Sequence, residues 1–466
     1  MIDKIVSTLN SIIWSPALVV LLVGAGLYFS FRTRFVQVRR FGLMLRSLFA
    51  PKEKSEDGSK HGISSFEAFC VALSGRVGTG NIVGVATAIA LGGPGAVFWM
   101  WLIAFFGAST AFVESTLAQK YKFHHPTGFR GGPASYIEKG LKLPWLGVVF
   151  SICCIIGYGL FLAPVQSNGM TGAIGNSFGI NPLYSGLALA FVLALVIIGG
   201  IKSISRVASI VTPFMALGYL VITVIVIAHH IDSVPHVLKM IVTGAFGIQP
   251  VAGGILGSTI MMGVKRGIFS NEAGEGGGAI VSASAAVSHP AKQGLAQAFS
   301  VYVDTLLICT ATALMILCSG NYNILDAKTG EMLVSYNAAL GNNYVGYTQA
   351  AVDSVLSGFG STFVSIAMIF FVFTTIMAYY FYGESSIMHI FEHRKGNAKA
   401  EKVAIWVFRL ALLGMVVFGA TREANVIWQL GDVGVGLTAW INVIALLLLC
   451  PEAVRLLKDY EESLKE

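Results

Sequence analysis

Charge is what this chain has least of. Only 12% of its 466 residues are Asp, Glu, Lys or Arg, against 55% hydrophobic ones, whereas a soluble chain carries about 25% charged residues. That deficit excludes an ordinary soluble globular protein. Alternation is also missing: apolar residues come in runs, as over 18–31, 96–106 and 443–449, which excludes the every-second-residue pattern of an outer-membrane barrel. Cysteine is sparse. Cys70, Cys153, Cys154, Cys309, Cys318 and Cys450 lie within or beside apolar segments with no paired spacing in polar loops. They read as small packing residues, not as a disulfide framework or a zinc site. No loop is long enough to bury a core, so no soluble domain is expected. The net charge of +7 does not point to nucleic acid, because the basic residues sit in short loops between apolar runs, where membrane topology accounts for them.

What is present reads as an all-α polytopic membrane protein. The runs predict about eleven spanning helices, near 12–31, 64–91, 95–119, 144–174, 183–200, 205–230, 251–283, 293–318, 357–390, 403–420 and 425–450. The basic cluster Arg32, Arg34, Arg39, Arg40, Arg46, Lys52, Lys54 and Lys60 follows the first span. A signal peptide would carry its basic residues before the apolar stretch. The positive-inside rule puts this loop in the cytoplasm and the N-terminus outside. Later connections agree: Lys120, Lys122, Arg130, Lys139 and Lys142, then Lys202 and Arg206, then Arg394, Lys395, Lys399 and Lys402 fall on the same side, while 319–356 holds only Lys328. The C-terminus is then cytoplasmic, and the expected location is the plasma (inner) membrane. The stretch 47–62, with Pro51, Glu53, Ser55, Glu56, Asp57 and Gly58, reads as a solvated linker. It divides the chain into a peripheral helix at 1–31, a basic linker at 32–62, helix blocks at 63–230 and 251–450, and a tail at 451–466.

Two spans contradict the demand that a helix in lipid keep its backbone bonded throughout. The second carries Ser74-Gly75-Arg76-Val77-Gly78-Thr79-Gly80-Asn81, and the seventh carries Gly267 through Gly278 with Ser270, Asn271, Glu272 and Glu275. Each glycine lowers helical preference by roughly 1 kcal/mol relative to alanine. Non-helical backbone at this depth is tolerated only where it lines a cavity. The two interruptions open the two helix blocks, five spans apart. An odd number of spans makes the halves enter from opposite sides, which is an inverted five-plus-five repeat with broken first and sixth core helices. A half-helix starting near Asn81 offers amides and a positive dipole end to a carboxylate, and unwound carbonyls offer oxygen to a small cation. A zwitterion plus sodium fits both. Glycines at 24, 26, 199 and 200 read as close helix packing instead. Gly78-Thr79-Gly80-Asn81-Ile82-Val83-Gly84 is one residue too long for a dinucleotide fingerprint and follows no strand.

The segment Gly92-Gly93-Pro94-Gly95-Ala96-Val97-Phe98-Trp99-Met100-Trp101-Leu102-Ile103-Ala104-Phe105-Phe106-Gly107 resembles the signature of the alanine/glycine:cation symporter family. The broken segments, the length and the span count resemble that family too, so the resemblance covers essentially the whole chain. It implies a leucine-transporter-type fold with one extra helix before the core, and sodium-coupled import of alanine or glycine. It also implies roles for single residues. The amides of Thr79 and Gly80, beside Asn81, would hold the substrate carboxylate. Phe269, Ser270 and Gly274 would flank the substrate, with Asn271 as this family's own variation. Thr374 and Thr375, with the backbone oxygens near Ser74 and Val77, would bind Na+. A second sodium site in some relatives uses an amide where the nearest residue here is Asp304.

Other intramembrane polar residues admit two readings each. Gln166, after Pro164, either contacts substrate or bonds helix to helix. Arg76 with Glu272 or Glu275, and Arg266 with Asp432, either form inner and outer gate pairs or static buried pairs. Histidines 124, 125, 229, 230 and 236 read as interfacial, and Glu114 receives no role. The expected partners are a small neutral amino acid, sodium and the lipid bilayer, with no organic cofactor. A proton-coupled or uncoupled carrier of the same fold is the alternative. A channel would show pore-lining rings and an enzyme a clustered catalytic set, and neither pattern is present in the sequence.

Overall fold

The computed structural model describes residues 2–52, 62–248, 250–327, 329–393 and 397–465. The linker residues Glu53, Ser55, Glu56, Asp57 and Gly58, and the basic residues Lys54, Lys60, Lys328, Arg394 and Lys395, lie outside them. Among the described residues, seven helices are long and apolar enough to cross a membrane, or nine if each of two bent pairs counts as one span. The bent pairs are Lys4–Ile13 with Pro16–Arg32, and Ser65–Arg76 with Gly80–Gly92. Two of the expected spans fall outside that set. Pro182–Ile197 has only 16 residues, and the glycine-rich Pro250–Asn271 stops at the break described below.

The burial pattern is that of a protein dissolved in lipid. Glu114, Asp304, Thr375 and Asn81 are fully buried, while Phe214 on Gly200–His229 is 72% exposed and Leu410 on Ala398–Ala420 is 65% exposed. Polar groups turned inward and apolar side chains turned outward suit a bilayer, where charge in hydrocarbon is costly. Helices Pro182–Ile197, Gly200–His229 and Ala398–Ala420 form the apolar periphery. The helix Gly360–His393 runs through the interior and packs against Ser65–Arg76, Gly200–His229 and the long Pro144–Phe178 unit.

The segment 92–107 has a structural reason for its residues. Gly93 turns the chain at φ +71°, a conformation that favours glycine. A Cβ on Gly95 would stand 2.3 Å from the carbonyl carbon of Gly244, so only glycine lets these two backbones touch. Trp99 then donates to Ala245 O at 3.1 Å and Trp101 to Thr310 Oγ1 at 2.8 Å. These contacts fix Ala96–Lys120 between Val234–Ala245 and the Pro290–Ser319 unit.

Several elements sit in connections that sequence reading leaves blank. An antiparallel hairpin pairs Phe123–His125 with Gly128–Arg130, and another pairs Asn323–Leu325 with Met332–Ser335. The helices Val234–Ala245 and Tyr344–Asp353 are too short to span. The second hairpin and Tyr344–Asp353 border a cavity of about 720 Å³ whose floor is Lys265, Arg266, Trp428 and Asp432.

Candidate functional site

The first broken helix begins with a capping box, Ser64 with Glu67, and runs unbroken to Arg76. At Val77 the backbone becomes extended, with φ −78° and ψ 90°, and the chain bends by 50° before Gly80–Gly92. A side chain drives the break. The Gly78 amide, which would bond Ser74 O in a continuous helix, donates instead to Asn81 Oδ1 at 2.8 Å. Ser74 O and Val77 O are thereby released, and both face Thr375 Oγ1, at 2.8 and 3.1 Å. Phe371 O stands 2.8 Å from the same hydroxyl. One hydroxyl has one proton, so Ser74 O, Val77 O and Phe371 O compete for the Thr375 hydrogen, and of the three only Phe371 O also has the Thr374 hydroxyl, at 3.1 Å. This electron-rich knot of hard oxygen donors suits a small cation.

Thr374 touches only one oxygen of the knot, Phe371 O. Its Oγ1 bonds Phe370 O and Phe371 O in its own helix and faces Met215 Sδ at 3.8 Å. Of the expected pair, only Thr375 faces Ser74 O and Val77 O in this conformation, while Thr374 reaches Phe371 O alone among the knot's carbonyls.

Gln166 stands across the break. Its Oε1 accepts the Thr79 amide at 2.8 Å and its Nε2 donates to Tyr379 OH at 3.3 Å. The Thr79 amide, expected to be open to a carboxylate, is thus held by Gln166 in this conformation. A Cβ on Gly78 would lie 2.6 Å from both Gln166 Oε1 and Thr375 Oγ1, so that glycine is what lets the amide side and the cation knot meet. Gly80 faces the Phe269 ring, with its Cβ position 3.1 Å from the nearest ring atom.

A second cluster ties both broken helices to the Pro290–Ser319 unit. Asp304 accepts from Asn81 Nδ2 at 2.6 Å, Ser270 Oγ at 2.8 Å and Thr305 Oγ1 at 2.6 Å. Cys309 Sγ lies 3.1 Å from Ser270 Oγ. Asp304 sits in a π-helical stretch, Tyr302–Cys309, and further π-helical stretches occur at Gly80–Gly84 and Ile155–Leu162. Such loosened turns gather at functional sites, and here they flank Asn81, Gln166 and Asp304. Thr305 has no signal in sequence beyond its place beside Asp304.

The second break is narrower than its glycine content suggests. Pro250–Asn271 stays helical through Gly267, and only 272–276 is irregular before Gly277–Ala283. Glu272, Gly274 and Gly276 all have positive φ, +53°, +92° and +98°. Arg76 donates to Asn271 O at 2.6 Å, a guanidinium on the carbonyl end of a helix, where positive charge is favoured. Its other bonds go to Gln297 Oε1 at 3.1 Å and to Ser300 Oγ. Among the described residues Arg76 makes no ion pair with Glu272 or Glu275 within 4.0 Å. The expected inner pair is therefore corrected: Arg76 caps the broken helix. Glu272 instead accepts from Tyr382 OH at 3.1 Å, and Glu275 from Tyr158 OH at 3.3 Å.

Asn271 and Gly274 face away from Gly80. Asn271 Oδ1 accepts the Ala273 amide at 2.9 Å, closing the helix end. Gly274 lies against Thr110 and Val443. Its amide reaches Glu114 Oε2 at 3.3 Å, and its carbonyl accepts from Asn442 Nδ2 at 2.9 Å. Both residues lie at or past the end of Pro250–Asn271, where the turn swings the chain toward Ala96–Lys120, so the structure does not bring them together with Gly80 and Phe269. Glu114, given no role from sequence, is the residue that holds this turn. A lone acid in an apolar helix carries no sign of which loop it will bond.

Over the site Arg266 pairs with Asp432, as the sequence suggested for either an outer gate or a static pair. Arg266 Nη2 reaches both carboxylate oxygens, at 2.7 and 2.8 Å, and Lys265 Nζ joins at 2.7 Å. The Arg266 guanidinium also covers the Trp428 and Phe269 rings, 4.8 and 5.5 Å from their centres. This layer separates Gly80 and Ser270 from the cavity above. At the far end of Gly360–His393 the hairpin residue Arg130 lies 3.6 Å from Glu384. Glu384 also accepts from Tyr380 OH at 2.6 Å, and Tyr380 OH accepts from Arg409. This charged strap was not anticipated, because its hairpin was read as a plain loop.

Residues 1–466 match the model of the family described as the sodium:alanine symporter family. The chain is 42% identical over 464 residues to the probable sodium/glutamine symporter GlnT of Bacillus subtilis, covering 100% of this chain and 92% of the relative. It is 45% identical over 413 residues to the sodium/proton-dependent alanine carrier protein of Bacillus sp. strain PS3, covering 88% and 90%. It is 36% identical over 471 residues to the sodium/alanine symporter AgcS of Methanococcus maripaludis, covering 99% and 98%.

Proposed function

The chain belongs to the sodium:alanine symporter family, and from that premise we propose that it is a sodium-coupled symporter importing alanine or glycine by alternating access. The observation that carries the sodium half is the Thr375 knot. Ser74 O, Val77 O and Phe371 O crowd around Thr375 Oγ1, and one hydroxyl proton cannot serve all three. A sodium ion entering there would take the place of that hydrogen bond and draw the first broken helix to Gly360–His393. Asp304, with Asn81 and Ser270, is a second oxygen cluster of the right hardness, and its carboxylate would compensate a second cation.

The substrate half rests on the first break. Thr79 and Gly80 start a half-helix whose amides and dipole favour a carboxylate. In this conformation Gln166 occupies the Thr79 amide. Gln166 is thus the exchangeable partner: substrate displaces its oxygen and inherits the amide. The Phe269 ring closes directly over Gly80, which would disfavour a long substrate side chain there. That favours alanine or glycine, although one relative is named for glutamine.

The layout belongs to the same reading. The core is an inverted repeat of 63–230 and 251–450, eleven spans with the N-terminal helix, with the N-terminus outside and the C-terminus cytoplasmic. The broken helices support the repeat and the loop charges support the orientation. The cavity above Arg266 and Asp432 is then the outer vestibule, and the lid must open for substrate to pass. The Arg130–Glu384 strap holds the cytoplasmic side. Radiolabelled alanine, glycine and glutamine, offered to proteoliposomes with an inward sodium gradient, test the proposal. Alanine or glycine should accumulate and glutamine should compete weakly. Uptake unchanged when choline replaces sodium would overturn the coupling, and preference for glutamine would overturn the substrate.

A further inference from the structure

The charged layer over the site has a part that the two broken helices and their blocks do not supply. Its charges come from Pro250–Asn271 and Ala424–Ser463, and the N-terminal helix Ile2–Ile13 reaches both. This helix carries two stripes. Ile5, Leu9 and Ile12 are exposed, while Val6, Asn10 and Trp14, spaced four apart, are buried. One face therefore suits lipid and the other the protein. Asn10 is a polar residue on the buried face, and its amide has a donor end and an acceptor end. Each end takes a different helix. Oδ1 accepts from Lys265 Nζ at 3.0 Å, and Nδ2 donates to Gln429 O at 3.2 Å. An ammonium can only donate and a carbonyl can only accept, so the partners fix which way the amide points.

The other bonds of this segment go to Ala424–Ser463. Trp14 Nε1 donates to Asp432 O at 2.7 Å, and Trp440 Nε1 donates to Ile13 O at 3.1 Å. Gly436 leaves the space that the Ile13 side chain fills. The Trp14 ring also lies 5.3 Å from Lys265 Nζ. The N-terminal helix is thus fastened to the last helix at several points and reaches Pro250–Asn271 through Lys265. Lys265 itself has two acceptors on the far side of the seam, Asp432 Oδ2 at 2.7 Å and Asn10 Oδ1 at 3.0 Å.

We propose that Asn10 and Trp14 are positioning residues of the outer lid. The N-terminal helix moves as one body with Ala424–Ser463, and Asn10 is a second latch on Lys265 beside Asp432. This rests on the transport reading above. Opening the lid parts Pro250–Asn271 from Ala424–Ser463, and Lys265 must then leave both acceptors. Trp14 holds the Asp432 carbonyl and so sets where its carboxylate stands opposite Arg266. The Asn10 bond is the weaker hold, because its acceptor is neutral and water from the vestibule can replace it.

The test measures sodium-driven alanine uptake by the full chain in proteoliposomes. Asn10→Leu keeps the bulk and removes the latch. It should favour the open lid and lower the KM for external alanine by about threefold, the scale of one net hydrogen bond. Asn10→Asp places a charge opposite Lys265 and should raise that KM by a similar factor. A purely structural role would destabilise both variants without moving KM in opposite directions. A Cβ on Gly436 would stand 3.5 Å from Ile13 Cβ, within the range a disulfide needs. Ile13→Cys combined with Gly436→Cys, once oxidised, should therefore transport as fast as its reduced form. Unmoved KM values, or shifts of the same sign in the two Asn10 variants, overturn the proposal. Uptake that stops on oxidation and returns on reduction overturns it too, because the N-terminal helix would then have to slide on its neighbour. Sodium-driven uptake by wild type in the same vesicles keeps the transport reading standing when these shifts fail. Should an Asn10 variant fail to fold, the disulfide decides.

Discussion

Replacing Thr375 by valine should weaken sodium activation of uptake by about tenfold or more, while Thr374→Val changes it by less than about twofold. The two substitutions are the same in chemistry and differ only in direction on the helix. Thr375 Oγ1 faces Ser74 O and Val77 O, and Thr374 Oγ1 bonds its own helix. Losing one ligand or hydrogen bond to a charged group costs about 1.5–3 kcal/mol, and 1.4 kcal/mol is about tenfold in affinity. Alanine uptake measured against sodium concentration reads the effect directly. Equal losses from the two variants would mean that the doublet acts through packing and that the oxygen knot is not the cation position.

The second large effect is expected at the lid. Asp432→Ala leaves Arg266 and Lys265 facing each other across a space that Asp432 now fills, both largely buried. Removing one member of a buried ion pair costs about 3–5 kcal/mol, because the charge left behind stays desolvated. Purified Asp432→Ala should therefore unfold in detergent at a clearly lower temperature than wild type. Asp432→Ala combined with Arg266→Met should recover part of the loss, since it removes one of the stranded cations. Unchanged thermal stability in the single variant would show the three charges to be hydrated from the vestibule and not sealed as a lid.

Both predictions depend on directions that the sequence did not contain. The breaks themselves were legible, because glycine clusters inside apolar runs conflict with the backbone demands of a membrane helix. The pairing of Arg266 with Asp432 was legible too, because charges in apolar spans must find partners. Which partner a buried charge takes was harder to read. Arg76 was expected to meet a carboxylate and instead caps the helix ending at Asn271, because a helix end offers negative potential that no residue letter announces. Glu114 was passed over for the same reason, since what it bonds is the Gly274 amide. Asn271 and Gly274 were placed with Phe269 and Ser270 by resemblance to the family's pattern. A turn with three positive-φ residues carries them to another helix.

The outer elements illustrate a different limit. The hairpin Phe123–Arg130 and the helix Tyr344–Asp353 lie in connections where hydropathy carries no message, so a reading based on apolar runs passes over them. Yet the first delivers Arg130 to Glu384 and the second borders the vestibule. Hydropathy finds what must touch lipid, and these connecting elements do not.

Coupled flux is the most direct measurement of the account's central claim. Proteoliposomes holding the full chain, given an inward alanine gradient and radioactive sodium at equal concentration on both sides, should accumulate sodium for as long as the alanine gradient lasts. Thr375→Val should not. Sodium that stays at equilibrium while alanine crosses would contradict the account, because the oxygen knot beside the first break would then have no part in transport.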